Sequence, residues 1–128
     1  MDDQTLAQDM AFLDREFLRV VESTCGVRLR HDRESVDQLD RLFAGQLGLL
    51  AQDDFRNASV MAAAWLGETV KALAGGRWHF DAALGPCIVE VPGLKGSVRV
   101  LARAERSIRE RDGSVLMEMI ARACPLRH

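Results

Sequence analysis

No stretch of this chain approaches the ~18 consecutive apolar residues that a membrane-spanning helix requires. The opening Met1-Asp2-Asp3-Gln4 is acidic and lacks the basic and apolar regions of a signal peptide, so a cytoplasmic protein is expected. Cysteine is sparse. Cys25, Cys87 and Cys124 are odd in number, far apart and form no CxxC pair, which reads as reduced thiols and not as a disulfide framework. Neither HxxxH nor CxxC occurs, so zinc has no ligand nucleus, and no metal or cofactor is expected. A GxSxG elbow, a Walker A loop and a GxGxxG turn are missing as well. The double glycine Gly75-Gly76 reads as a helix stop followed by a strand, the reverse of the order in a phosphate loop. These absences argue against most enzyme classes.

Lysine is nearly absent too: Lys71 and Lys95 stand against 15 arginines, a bias that fits a GC-rich bacterial genome. The net charge of −2 argues against nucleic acid as a partner. Its distribution is uneven. Residues 1–54 hold 12 acids and 6 bases (net −6), and residues 55–128 hold 7 acids and 11 bases (net +4). Either the halves complement each other within one fold, or they meet a charged partner or a second copy head to tail.

What is present suffices for one domain spanning residues 1–128. With 48% hydrophobic residues over 128 positions it needs neither disulfide nor metal to fold. Leu6, Met10, Leu13, Phe17, Val20 and Val21 recur at helical spacing and predict a helix over about 4–24, stopped by Gly26. Val27-Arg28-Leu29-Arg30 alternates like a short strand or an extended connector. Asp32 then caps a second helix carrying Val36, Leu39, Phe43, Leu47 and Leu50 on one stripe, with a break expected near Gly45. A third helix, about 54–74, is apolar on one face and small on the other, as befits a helix buried between two layers. Gly67 costs it about 1 kcal/mol relative to alanine, and close approach of a neighbouring backbone is the expected compensation.

Arg77–Asp81 predicts a strand, Ala82–Pro86 a loop and Cys87–Val91 the returning strand of a hairpin. Residues 97–110 fit either a helix capped by Ser97 or a third strand, with the helix favoured. A last helix runs through Val115, Leu116, Met119, Ile120 and Ala123 before Pro125. The fold class is therefore α+β: three N-terminal helices, a small antiparallel hairpin, and one or two C-terminal helices.

Gly26-Val27-Arg28-Leu29, the segment Glu34–Arg41, Leu66-Gly67-Glu68 and Gly75-Gly76-Arg77-Trp78 together resemble a family of small bacterial domains of unknown function. Those domains carry a Leu-Gly-Glu … Gly-Gly-x-Trp pattern, and the resemblance covers about residues 26–91. It implies a bacterial α+β domain and supplies no activity. In the C-terminal third Gly96-Ser97-Val98 stands where such domains have an Asn-Pro-Phe-like helix start.

Glu68 is the leading candidate for a functional residue, as a partly buried carboxylate able to hold a cation or act as a base. Its structural alternatives are a pair with Lys71 or hydrogen bonds from backbone N–H groups near the hairpin. His31-Asp32 and His79-x-Asp81 are the internal histidine–acid pairs, and His79, Cys87 and Glu90 are candidate neighbours across the hairpin. Arg99, Arg103 and Arg106 form a basic stripe if their segment is helical; a solvated face is the ordinary role of such a run. Two function classes remain. The first is a non-enzymatic protein-interaction module, self-associating or binding one protein partner, of which a toxin-neutralising immunity protein is an example. The second is a small-ligand or metal-binding domain with weak hydrolytic chemistry around Glu68 and His79. A pocket lined by Glu68, Trp78 and His79 would favour the second, and a broad surface patch the first.

Overall fold

The computed structural model describes residues 2–125. Asp2 opens the first helix, α1 (Asp3–Cys25), its carboxylate accepting the Thr5 N–H at 2.8 Å. Leu6, Met10, Phe17 and Val21 of the apolar stripe are buried, and Gly26 ends the helix at φ 69°. Val27–Arg30 is a connector and not a strand: only Leu29 is buried in it. Asp32 caps α2 (Arg33–Ala44) by accepting the Ser35 N–H at 2.8 Å. The helix stops at Gly45, as its sequence suggests, and α3 (Gln46–Asp53) is a separate short helix. That break changes the helical phase, so Leu50, expected on the buried stripe, faces outward.

Next comes α4 (Phe55–Ala74), the central helix, packed against α1 and α5. Its Ala62, Ala63, Ala64, Trp65, Leu66, Gly67 and Val70 are all buried, which only a helix enclosed from both sides permits. The chain leaves it through Gly75 and Gly76, both at positive φ (94° and 98°), a conformation with a low cost only for glycine. A Cβ on Gly76 would also lie 2.7 Å from the Ile88 side chain.

The hairpin pairs β1 (Arg77–Asp81) with β2 (Gly85–Val89), in a register that sets Trp78 opposite Ile88 and His79 opposite Cys87. The return begins two residues earlier than the sequence suggests. Asp81 accepts the Ala83 and Leu84 N–H groups at 2.8 and 2.9 Å, which tightens the loop to three residues and pairs Asp81 with Gly85. Residues 97–110 combine both expectations. Val98 first makes an antiparallel bridge to Ile88, and the chain then enters α5 (Val100–Glu110) with Arg99, not Ser97, at the cap position.

The last helix, α6 (Val115–Ala123), receives no side-chain cap from its own Ser114. Asp40 of α2 serves instead, accepting the Leu116 and Met117 N–H groups at 3.0 and 2.9 Å. At the other end of the same pair, Arg33 of α2 donates to the Cys124 carbonyl. Arg111, at the end of α5, in turn donates to the Ala44 and Gly45 carbonyls at 2.9 and 3.1 Å, satisfying the C-terminus of α2. The result is an α+β fold with one buried apolar cluster running from Leu6 to Cys124. Among the described residues no helix is long and apolar enough to cross a membrane.

Candidate functional site

The joint between α4 and β1 holds Gly67, Glu68 and Trp78, the residues that stand out most in the sequence. The benzo edge of the Trp78 indole packs onto the helix at Gly67: an added Cβ would sit 2.1 Å from its Cη2. Gly67 therefore makes room for a ring and not for a backbone, which corrects the expectation of backbone contact. The indole N–H of Trp78 donates to Glu68 Oε2 at 3.0 Å, and Lys71 Nζ sits 3.1 Å from the same oxygen. Glu68 is thus engaged by a side chain of the hairpin and by the lysine one turn on. Its charge is already compensated, and the buried indole N–H is satisfied.

His79 is not part of this joint. It projects from the opposite face of β1, where its Nδ1 lies 3.2 Å from Asp3 Oδ2. Arg77 binds the same Asp3 oxygen at 2.7 Å and reaches Glu90 at 2.9 Å. The His79 hydrogen bond and the Arg77 guanidinium hold the Asp3 carboxyl below its usual range. Cys87 faces His79 in register, but its thiol donates to the His79 carbonyl at 3.4 Å. None of the described hollows is lined by Glu68, Trp78 or His79. Among the described residues no three His, Cys, Asp or Glu side chains gather closely enough to hold a metal ion.

Besides His79–Asp3, a second histidine–acid pairing forms, and neither pairing is the one expected from the sequence. His31 Nε2 meets Asp14 Oδ1 at 2.8 Å, while Asp32 is spent on capping α2. The imidazole stacks on buried Trp65, with ring centroids 6.3 Å apart. The Asp14 hydrogen bond raises the His31 pKa, and Glu68 adds a smaller push in the same direction. Asp14 lies 17 residues from His31, so no local motif could announce the pair.

Of the three candidate arginines, Arg99 and Arg103 line one hollow together with Arg122 of α6. Arg106 is diverted: its Nε donates to Glu110 at 2.7 Å. Three carboxylates of the acidic N-terminal half have partners within the chain. Asp14 holds His31, Glu16 pairs with Arg19, and Glu22 pairs with Arg28.

The other feature is apolar. Along the seam between α1 and α4 lie two hollows, of about 420 and 270 Å³. Phe12 and Phe80 border the larger, and Val20 and Leu50 border the smaller. Their exposures are 55%, 43%, 41% and 48%, so four of the five large exposed apolar side chains among the described residues border one or other of these two hollows, Phe80 from β1 and Leu50 from α3. Val20 was expected on the buried stripe of α1, yet its neighbour Val21 takes the core position. Phe12 offered a readable signal, being a large aromatic beside the stripe and not on it. No family model matches the chain, and no curated protein or solved structure matches it either.

Proposed function

We propose that the protein is a non-enzymatic interaction module that associates with a second copy of itself through the α1–α4 seam. The observation that carries this reading is the placing of Phe12, Phe80, Val20 and Leu50 around the two hollows beside α1 and α4, while Glu68 and His79 are bonded within the chain. Contiguous exposed apolar side chains mark interaction surfaces. A second copy is the favoured occupant because knob and hole lie side by side: Phe12 protrudes next to a hollow floored by Leu6, Met10 and Leu13. A two-fold interface needs such self-complementarity, since the same patch serves both partners. Asp9 is the sole charged residue lining the larger hollow, so two copies would bring few like charges together.

The second reading, a ligand or metal site with hydrolytic chemistry around Glu68 and His79, gains no support from the geometry. Those two side chains bond to different partners on different faces. Kinship with the small bacterial domains remains part of the proposal, and it acquires a physical sense. The Leu-Gly-Glu and Gly-Gly-x-Trp segments form one joint, in which Trp78 covers Gly67 and donates to Glu68. A cytoplasmic setting, with Cys25, Cys87 and Cys124 as free thiols, belongs to the same proposal.

Backbone amide shifts followed across a wide range of protein concentrations test the seam. Concentration-dependent shifts are expected over residues 9–20 and around Leu50, Val60 and Phe80. Shifts that do not change with concentration, or that change only in α5 and α6, would overturn the assignment.

A further inference from the structure

Most arginines of this protein are engaged within the chain. Arg19, Arg28, Arg41, Arg77 and Arg106 pair with carboxylates. Arg33 and Arg111 donate to carbonyls at helix ends, and Arg109 lies 5.2 Å over the Phe55 ring. Among the described residues, Arg15, Arg30 and Arg56 have no side-chain partner, and each stands on a different element. Arg99, Arg103 and Arg122 also make no ion pair with a described carboxylate, yet these three share one concave site.

That hollow measures about 250 Å³ and is formed by the segment before α5, α5 itself and α6. Arg99 and Arg103 are one helical turn apart, and Arg122 enters from α6. Leu94, Val98 and Met119 provide apolar lining. Asp81 is close enough for Arg99 to contribute to its lowered pKa, but its carboxylate is committed to the Ala83 and Leu84 N–H groups. Like charges gathered around a concavity repel one another and raise the local concentration of anions.

We propose that this hollow binds a small organic phosphate monoester, its phosphate held by Arg99, Arg103 and Arg122 and its apolar portion set against Leu94, Val98 and Met119. A phosphate monoester carries a charge of about −1.5 to −2 at neutral pH and three strong acceptor oxygens. Guanidinium groups recognise such oxygens through forked, charge-assisted hydrogen bonds. A carboxylate offers one charge and two oxygens, enough for one fork, and leaves the other two guanidiniums uncompensated. The volume falls just under the ~300–1,000 Å³ usual for drug-sized ligands, which restricts the ligand to a small one.

Isothermal titration calorimetry at fixed ionic strength, with phenyl phosphate, inorganic phosphate and benzoate as probes, tests the proposal. Phenyl phosphate should bind the wild type more tightly than inorganic phosphate, which lacks an apolar body, and more tightly than benzoate. Arg103→Ala and Arg122→Ala, on two different helices, should each weaken phenyl phosphate binding about tenfold or more, the loss expected for a charge-assisted hydrogen bond. Arg15→Ala, on the far element α1, should leave it unchanged. Absence of binding to the wild type, an equal loss in Arg15→Ala, or benzoate binding as tightly as phenyl phosphate would each overturn the assignment.

Discussion

Two aromatic side chains of this protein show how differently its regions are used. Trp78, at the α4–β1 joint, is 1% exposed, lies on Gly67 and has its indole N–H satisfied by Glu68. Phe12, on the α1–α4 seam, projects into solvent beside a hollow lined by other apolar groups. At the joint, polar residues that suggest chemistry in the sequence are spent on holding a hairpin to a helix. At the seam, residues that suggest a core are left without a partner.

Truncating the two aromatics should separate the regions most sharply. Trp78→Ala should destabilise the fold by about 3–5 kcal/mol through loss of burial and the cavity left behind. Phe12→Ala, measured by urea unfolding at a concentration where the protein is monomeric, should stay within about 0.5 kcal/mol of the wild type. Comparable losses at both positions would erase the distinction.

Gly67→Ala probes the joint from the other side and should have a smaller effect. Alanine gains about 1 kcal/mol of helix propensity. Its Cβ meets a ring pinned by the Glu68 bond and unable to slide away, so a net loss of about 1–3 kcal/mol is expected. An unchanged or raised urea midpoint would show that the ring is free to move.

The smallest effect concerns pH. Asp14 raises the folded pKa of His31 above its unfolded value near ~6.5. Protonation therefore favours the folded state: the contribution is fully present below ~6.5 and is lost as pH rises through the folded value. The urea midpoint should fall across that window in the wild type, and the fall should be reduced in His31→Gln. An identical pH profile in the variant would place the dependence elsewhere.

The parts legible in the sequence were those set by local pattern. Helical spacing located α1, α2 and α4, Gly45 marked the α2–α3 break, and Gly75-Gly76 marked the exit to β1. The parts that were not legible depend on groups far apart in the chain. Asp40 caps a helix 76 residues on, Arg111 closes one that ended 67 residues before, and Arg122 completes a hollow begun by Arg99. Asp40 illustrates the difficulty: burial pushes its carboxyl up, and the Met117 and Leu116 N–H groups pull it back, but neither influence exists until α2 meets α6. The seam was hidden for a simpler reason. Val20 and Leu50 fit apolar periodicities, and periodicity reports which residues share a face without reporting what covers that face.

Sedimentation equilibrium of the wild type and of Phe12→Asp, each at low and high salt, tests the central claim most directly. The account predicts a concentration-dependent dimer for the wild type that persists at high salt, where Debye screening shortens to about 3 Å and purely electrostatic pairing fails. It predicts a folded monomer for Phe12→Asp, because a carboxylate would be buried without a partner in each half of the interface. A wild type that stays monomeric at every concentration, or a Phe12→Asp variant that dimerises as well as the wild type, would contradict it.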